Sequence, residues 1–293
     1  MTAAMFDRPR SHPLQAPGAT LPPDPLVSVV MTAFNSERWL EAAVASVLRQ
    51  EGWKHLELVV VDDGSSDGSK PILDRLAAMD HRVRPFHLRR NIGTYRARNV
   101  GMSISRGHLI TFMDSDDTAS RDRIAQQAAL LLQRDLVATT CNYVRRTASG
   151  RIVPMGGLEE RQALVSLMFK RPVLADIGWF DSVRTSADDE FFERLRHVYG
   201  RHAHANVPRP LYQALHREQS LSTDPAAPVL LSATDGQDPL SGPRRAYKSA
   251  YQSWYERLRA NGRRPYIPYN IVSPRPFPVP SELAVEPEHR ACR

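Results

Sequence analysis

The feature that most constrains this chain is the regular alternation of short apolar segments with segments of helical periodicity between residues 26 and 223. The apolar segments are rich in valine, as in VSVVMT and LELVVV. Such nearly continuous hydrophobic runs are typical of parallel strands that helices cover on both faces. The sequence therefore predicts an α/β fold with a mostly parallel open sheet. The predicted elements are strand Val27–Thr32, helix Glu37–Gln50, strand Leu56–Val61, helix Lys70–Met79, strand Val83–Leu88, helix Thr94–Ser105, strand His108–Met113 and helix Arg121–Gln133.

Proline content marks the limits of this region. Of the 23 prolines, six fall in residues 1–25 and eleven in residues 224–293. Residues 1–25 combine proline with small and polar residues and show no apolar period, which predicts a disordered leader. Residues 26–223 are then the predicted folded domain, and residues 224–293 form a C-terminal extension.

The C-terminal extension contains one segment with helical periodicity. Residues Ala246–Ala260 place Tyr247, Tyr251, Trp254 and Tyr255 at helical spacing, and the prolines that follow predict an extended stretch. In one interpretation, which we favour, this aromatic face packs on the core of the domain. In the other, it lies against a membrane surface together with nearby arginines. Those arginines are Arg257, Arg259, Arg263 and Arg264.

Composition argues against several classes of protein. The net charge of +7 is diffuse, because acidic residues are interspersed among the cations, so the charge alone does not indicate a nucleic-acid partner. The acidic residues at 62–63 and 114–117 argue against one, because they would repel phosphates. The only cysteines, Cys141 and Cys292, lack metal-ligand spacing, which fits a reducing compartment. No apolar run reaches the ~18–20 residues of a membrane span, and the N-terminal residues lack a signal-peptide core. We therefore expect a soluble cytoplasmic protein that is at most peripheral at the inner face of a membrane.

Polar residues follow three of the predicted strands. The first strand leads into TAFN (residues 32–35), the second into DDGSSDGS (62–69) and the fourth into DSDD (114–117). The carboxyl ends of parallel strands share one edge of the sheet, and ligands bind at this edge in open α/β folds. We therefore expect the three segments to form one polar rim.

The segment DDGSSDGS has two compatible interpretations. In the functional one, a carboxylate of Asp62 or Asp63 accepts a hydrogen bond from a ring N–H of a base, and Phe34 offers a face for stacking. In the simpler one, the segment is a strand-to-helix turn in which Ser69 caps the next helix. The sequence alone leaves both open.

The acidic run after the fourth strand places Asp114, Asp116 and Asp117 within four residues. Like charges at this spacing repel one another and disfavour ionisation. A divalent cation relieves the repulsion, and Mn²⁺ or Mg²⁺ prefers oxygen ligands while keeping positions open for substrate phosphates. The run therefore predicts a Mn²⁺ or Mg²⁺ site.

Five segments in this order resemble the family-two glycosyltransferases with the GT-A fold, and the resemblance covers roughly Pro25 to Ser222. The segments are VSVVMTAFNSERWLEAAVASVLRQ, LELVVVDDGSSDGS, NIGTYRARNVGMSISRGHLITFMDSDD, SADDEFFERL and LYQALHREQSLS. The resemblance implies that residues 26–223 form a GT-A domain that takes a nucleotide-sugar donor.

The resemblance also implies roles for individual residues. Thr32, Phe34 and Asp63 look like the residues that hold uridine, and Asp62 is their neighbour. Arg98 resembles an arginine of a helix that faces the nucleotide. The full set implied at the nucleotide is Thr32, Phe34, Asn35, Asp62, Asp63, Arg98 and Asp114. The set implied at the metal is Asp114, Asp116 and His216, with Asp116 the favoured direct ligand.

The fourth segment is implied to supply the catalytic base. Family members often carry an acidic pair, a further acid and then an arginine. Counting back from Arg194 points to Asp188, whereas matching the acidic pair points to Asp189, because Ala187 stands where a paired acid is expected. We favour Asp188. The alternative is that these acids only mark the N-terminus of a helix with Ser186 as its cap.

Taken together, the residues at the rim and the resemblance imply an inverting, metal-dependent hexosyltransferase. It would move a sugar from a UDP-linked donor to a hydroxyl group of a glycan, lipid-linked or protein acceptor in bacterial polysaccharide, capsule or glycoconjugate synthesis. One alternative is a catalytically inactive relative that binds nucleotides or serves as a scaffold. Another is a nucleotidyltransferase, against which the absence of glycine in TAFNSERW argues.

Overall fold

The fold is taken from a computed structural model, which describes residues 21–217, 240, 242–271 and 273–285. Residues 1–20 of the predicted leader lie outside this range. The strands are β1 (Val27–Ala33), β2 (Leu56–Asp62), β3 (Val83–His87), β4 (Leu109–Asp114), β5 (Thr118–Ala119), β6 (Ala138–Arg146), β7 (Glu160–Lys170) and β8 (His204–Leu215). The α-helices are α1 (Leu40–Leu48), α2 (Ser69–Met79), α3 (Thr94–Ile104), α4 (Arg123–Gln133), α5 (Val173–Ile177), α6 (Ala187–Tyr199) and α7 (Gly242–Ala260). A 3₁₀ turn, Arg201–Ala203, precedes β8.

The strands form one open sheet in the order β3-β2-β1-β4-β7-β6-β8-β5. Parallel pairs join β1 to β2 and β4, β2 to β3, and β6 to β8. β7 runs antiparallel to β4 and β6, and the short β5 runs antiparallel to β8. The prediction of an α/β fold with a mostly parallel open sheet is confirmed.

Helices cover both faces of the sheet because successive side chains of a strand point to opposite sides. Val29 and Met31 of β1 pack in one core cluster with α1, α2 and α4. Val30 packs on the other side with α3, α5, α6 and α7. Every residue of β1 is buried, and this two-sided burial explains why five of its seven residues are apolar.

The first helix begins later than predicted, at Leu40 rather than Glu37. Asn35 has a left-handed backbone with φ of 49°, which ends the extended strand conformation. A turn follows in which the carbonyl of Ser36 accepts hydrogen bonds from the amides of Trp39 and Leu40. The rim segment after β1 is therefore longer than the sequence indicates.

The prediction that Ser69 caps the second helix is wrong. Ser69 is the first residue of α2, and Gly68 holds the cap position without a side-chain hydrogen bond. Asp67 instead accepts a hydrogen bond from the amide of Ser69 at 3.0 Å. The hydroxyl of Ser69 accepts a hydrogen bond from the amide of Ser36, so it joins two loops of the rim.

The C-terminal helix α7 packs on the core of the domain. Tyr247, Tyr251, Trp254 and Tyr255 are at most 5 % exposed and belong to the core cluster that contains α6. The same cluster includes three buried side chains from the segment after α7, which are Ile267, Phe277 and Leu283. The aromatic face is thus covered by the chain itself, whereas the arginines at positions 257, 259, 263 and 264 are exposed. Within the described residues, no helix has the length and hydrophobicity needed to cross a membrane.

Candidate functional site

The carboxyl ends of β1, β2 and β4 lie side by side. Ala33 of β1 is paired with Asp62 of β2, and Thr32 is paired with Asp114 of β4. The segments at residues 32–35, 62–69 and 114–117 therefore meet along one edge of the sheet. This edge is the polar rim that the sequence predicts.

Asp63 is buried at the rim and holds the loop before α3. Its two carboxylate oxygens accept hydrogen bonds from the amides of Ile92 at 2.7 Å and Gly93 at 3.0 Å. Burial raises the pKa of Asp63 to about 6, although these two hydrogen bonds oppose the rise. Each carboxylate oxygen has a second lone pair, so these contacts leave acceptor capacity for a base N–H.

Asp62 is also buried and is held by two groups. One oxygen accepts a hydrogen bond from the amide of Ser65 at 3.1 Å, and the other lies 3.0 Å from Nδ1 of His87. The second ring nitrogen of His87 lies 2.9 Å from a carboxylate oxygen of Asp74. Asp62 therefore organises the turn after β2, so the strand-to-helix turn of the simpler interpretation is present although its Ser69 cap is not.

The residues after β1 differ in their availability to a ligand. Phe34 is 47 % exposed, so its ring is open for stacking. The side-chain oxygen of Asn35 accepts a hydrogen bond from the backbone amide of Ser66 at 2.9 Å. The backbone amide of Asn35 donates to the hydroxyl of Ser65, also at 2.9 Å. Asn35 thus joins two segments of the rim. Thr32 is buried beneath them.

Arg98 of α3 reaches the acidic motif at residues 114–117. Its Nη2 lies 2.5 Å from Oδ1 of Asp114, and its guanidinium lies 5.3 Å from the ring centre of Tyr95. Burial disfavours the charge, but Asp114 first, and then Tyr95 and Asp188, raise the pKa of Arg98. Arg98 therefore carries a buried positive charge beside the motif.

Asp116 is bound by Arg217, a residue that the sequence analysis did not single out. Nε of Arg217 lies 2.5 Å from Oδ2 of Asp116, and its guanidinium lies 5.0 Å from the ring centre of Trp39. Burial and the neighbouring Asp114 raise the pKa of Asp116, and Arg217 opposes this rise. The like-charge repulsion expected from the sequence is present, and Arg98 and Arg217 offset it only in part, because the pKa values of Asp116 and Asp117 stay raised.

The end of β8 brings His216 to the acidic motif. The amide of Leu215 donates to Asp117 at 2.7 Å, and Arg217 contacts Asp116, so His216 lies between two residues that touch the motif. Its Nδ1 is buried and has no hydrogen-bond partner among the described residues. Buried polar atoms without partners are rare, and imidazole nitrogen is a common metal ligand.

Asp116 and His216 carry a carboxylate and an imidazole nitrogen, which are atom types that divalent cations bind. Among residues 21–217 and the described C-terminal ranges, no three His, Cys, Asp or Glu side chains are grouped to hold a metal ion by themselves. A Mg²⁺ or Mn²⁺ ion that shares a site with substrate phosphates needs only one or two carboxylates from the protein. The nitrogen Nδ1 of His216, which is buried and has no partner within residues 21–217 or the other described ranges, is the observation that favours a further ligand at this place.

The two candidate bases face different neighbours at the start of α6. Oδ1 of Asp188 accepts a hydrogen bond from the hydroxyl of Tyr95 at 2.7 Å, whereas Oδ2 of Asp189 accepts one from Tyr251 at 2.5 Å. Tyr95 lies on the helix that carries Arg98, and Arg98 binds Asp114. Asp188 is therefore connected to the acidic motif, and Asp189 is connected to the C-terminal helix.

Ser186 occupies the cap position of α6 but does not cap it with its side chain. Its backbone is left-handed, with φ of 71°, and its hydroxyl accepts a hydrogen bond from Arg244 of α7. The alternative in which these acids follow an ordinary serine cap is wrong on this point. The acids at the start of α6 instead have side-chain partners from two other helices.

Sequence reasoning missed Tyr95 and Arg217 as parts of the site. Tyr95 precedes Arg98 by three positions, so helical spacing places both on one face of α3, which is the signal that was available. Arg217 directly follows His216, but nothing in its own pattern indicates that it contacts Asp116. The sequence places Tyr251 only in the aromatic face of the C-terminal segment, because spacing does not show where a hydroxyl points.

Comparisons with known proteins identify sequences and structures that this chain resembles. Residues 28–192 match the family model described as glycosyl transferase family 2. A relative from Bacillus subtilis (strain 168), named "Putative teichuronic acid biosynthesis glycosyltransferase TuaG", is 34% identical over 119 residues, which are 41% of this chain and 47% of that protein. The chain thus spans about half the length of such curated relatives.

Two solved structures share the fold. The structure of S. aureus TarS 1-349 in complex with UDP-GlcNAc aligns with a TM-score of 0.56 and 22% identity, covering 68% of this chain and 60% of that one. The mannosyltransferase PcManGT from Pyrobaculum calidifontis, in complex with GDP-Man and Mn²⁺, aligns with a TM-score of 0.50 and 20% identity, covering 69% and 61%. At these identities the likeness concerns the fold alone.

Proposed function

The chain belongs to glycosyl transferase family 2, and from this premise we propose that it is an inverting hexosyltransferase that uses a UDP-linked sugar. The acceptor is a hydroxyl group of a growing glycan, in keeping with the teichuronic acid biosynthesis named for one relative. The observation that carries the proposal is the connection from Asp188 through Tyr95 and Arg98 to Asp114. It links a candidate base to the acidic motif at the rim.

Exposed and buried side chains of the rim would bind the base and the diphosphate of the nucleotide. Phe34 stacks on the base, and a carboxylate of Asp62 or Asp63 accepts a base N–H. Arg98 and Arg217 place two positive charges beside the motif, where the donor's diphosphate would lie. Charge-assisted hydrogen bonds from arginine to phosphate are among the strongest in proteins.

Asp116 and His216 would hold Mn²⁺ or Mg²⁺ together with oxygens of the diphosphate. A cation there supplies electrostatic stabilisation of the negative charge that develops on the leaving diphosphate. Arg217 contacts Oδ2 of Asp116, so Oδ1 is left as an oxygen that a cation could bind. The guanidinium groups of Arg98 and Arg217 would add to the stabilisation of the leaving diphosphate.

At the acceptor, Asp188 is proposed as the general base. The acceptor hydroxyl oxygen attacks the anomeric carbon, its proton passes to the carboxylate of Asp188, and the bond from the anomeric carbon to the diphosphate oxygen breaks with its electron pair. Direct attack from the opposite face inverts the anomeric configuration. The hydroxyl of Tyr95 holds Oδ1 of Asp188, which leaves the other oxygen for the proton.

Nucleotide release from a donor panel tests this proposal. The full chain is incubated with Mn²⁺, a mixed hydroxyl-bearing glycan acceptor pool and either UDP-GlcNAc, other UDP-hexoses or GDP-mannose, and free UDP or GDP is measured. We expect acceptor-stimulated release of UDP. Release of GDP alone would overturn the choice of nucleotide, and nucleotide binding without any release would favour the catalytically inactive alternative.

A further inference from the structure

Three successive acidic side chains at the start of α6 each accept a hydrogen bond from a tyrosine hydroxyl. Tyr95 donates to Asp188, as described above. The other two donors come from α7: Tyr251 donates to Asp189 at 2.5 Å, and Tyr255 donates to Glu190 at 2.7 Å. The C-terminal helix therefore holds the two acids that directly follow the proposed base, Asp189 and Glu190.

The two acids held by α7 have different surroundings. Glu190 is fully buried and is also paired with Arg194 at 2.9 Å, so its environment is that of a core ion pair. The side chain of Asp189 is 33 % exposed, and Nζ of Lys248 lies 3.9 Å from its Oδ2. Asp189 directly follows Asp188, is partly exposed to solvent, and is held by Tyr251 and Lys248 of α7.

The contacts from α7 form one stripe along the helix. Arg244, Lys248, Tyr251 and Tyr255 are spaced by four, three and four residues, which is the period of one helix face. Arg244 donates to the hydroxyl of Ser186, directly before α6. The stripe therefore supports the first turn of a helix whose own cap residue makes no side-chain cap.

We propose that Tyr251 is a positioning residue of the transfer reaction: it fixes Asp189, and through it the first turn of α6, so that Asp188 meets the acceptor hydroxyl. This inference rests on the proposed function. It assigns the C-terminal helix a part in catalysis beyond filling the core. Displacements of about 1 Å in such supporting structure cost up to roughly 100-fold in rate.

The pKa of Asp189 depends on Tyr251, so the proposed role of Tyr251 has a measurable consequence. Burial raises the pKa of Asp189, and the hydrogen bond from Tyr251 is the strongest of the effects that oppose the rise, followed by the charge of Lys248. The other charged groups facing it are Asp188 and Glu193 of its own helix, and both raise it further. Loss of the Tyr251 hydroxyl should therefore raise this pKa again, and protonated Asp189 no longer attracts Lys248.

The test compares Tyr251→Phe with Tyr247→Phe in the full chain. Both substitutions remove one hydroxyl that donates to a carboxylate from the same face of α7, since Tyr247 donates to the buried Asp181 at 3.0 Å. We expect Tyr251→Phe to lower kcat by about 10- to 100-fold with an unchanged KM for the UDP-sugar. The acid limb of its pH profile should move to higher pH, because loss of the Tyr251 hydroxyl raises the pKa of Asp189. Tyr247→Phe should change neither quantity.

The outcomes separate the two proposals. If the wild-type chain releases no nucleotide from any donor, the proposed function fails and the role of Tyr251 fails with it. If the wild type is active but the two variants have equal kcat and the same acid limb, only the role of Tyr251 is overturned. Should Tyr251→Phe not fold, Lys248→Met takes its place, since Lys248 is 39 % exposed. It should move the acid limb in the same direction, and an unchanged limb would overturn the inference.

Discussion

Replacing Asp188 with asparagine should lower kcat about 10²- to 10⁴-fold, the range that a positioned general base contributes. The substitution keeps the shape of the side chain and an oxygen that can accept the hydrogen bond from Tyr95. The affinity for UDP should stay within about twofold of the wild-type value, because Asp188 is connected to the acidic motif only indirectly, through Tyr95 and Arg98. The measurement is UDP release under saturating donor, with UDP binding measured on the same sample.

Asp189→Asn is the matched control, because it makes the same chemical change one residue further along α6. We expect its loss of kcat to be clearly smaller than that of Asp188→Asn, because Asp189 contacts Tyr251 and Lys248 of α7 rather than a residue of α3. A larger loss from Asp189→Asn than from Asp188→Asn would contradict the assignment of the base. Equal losses would indicate that the pair acts as one unit.

Removing residues 241–293 should prevent the remaining chain from folding stably. The deletion takes seven buried hydrophobic side chains out of the core cluster around α6, namely Tyr247, Tyr251, Trp254, Tyr255, Ile267, Phe277 and Leu283. Each such side chain contributes about 1.5–3 kcal/mol of burial, and a typical domain has a net stability of only roughly 5–15 kcal/mol. The deletion also removes the tyrosine hydroxyls that donate hydrogen bonds to Asp181, Asp189 and Glu190. Thermal unfolding and near-UV circular dichroism measure the effect.

The control for this deletion changes charge at exposed positions of the same region. Arg257→Ala combined with Arg263→Ala alters two exposed side chains and should shift Tm by no more than a few degrees. A truncated chain that kept a cooperative transition near the wild-type Tm would contradict the packing described for α7. It would also support the prediction that residues 26–223 fold as a domain without the C-terminal extension.

The parts of the fold that follow from local periodicity could be predicted from the sequence. β1 and β2 are buried on both sides, so their valine-rich runs were unambiguous, and their bounds differ from the prediction by one residue at one end. Later elements depend on pairing between distant segments. β6, β7 and β8 pair across separations that periodicity does not encode, and β7 enters antiparallel between β4 and β6.

The candidate site divides in the same way. Residues at strand ends, such as Asp62 and Asp114, could be placed because parallel strands share a carboxyl edge. Contacts such as Arg217 with Asp116 join residues 101 positions apart and follow from the course of β8. The pairing of Tyr251 with Asp189 likewise depends on how α7 docks on α6. Helical spacing predicted the buried face of α7, but the partner of each hydroxyl is a property of the packed structure.

The central claim is that the rim binds a nucleotide diphosphate together with a divalent cation. Calorimetric titration of UDP into the full chain, with and without Mn²⁺, tests it most directly, alongside Asp116→Ala and Asp135→Ala, an exposed acid away from the rim. We expect Mn²⁺ to strengthen UDP binding at least tenfold, equivalent to about 1.4 kcal/mol, and Asp116→Ala alone to abolish that gain. Absence of UDP binding to the folded protein under both conditions would contradict the account.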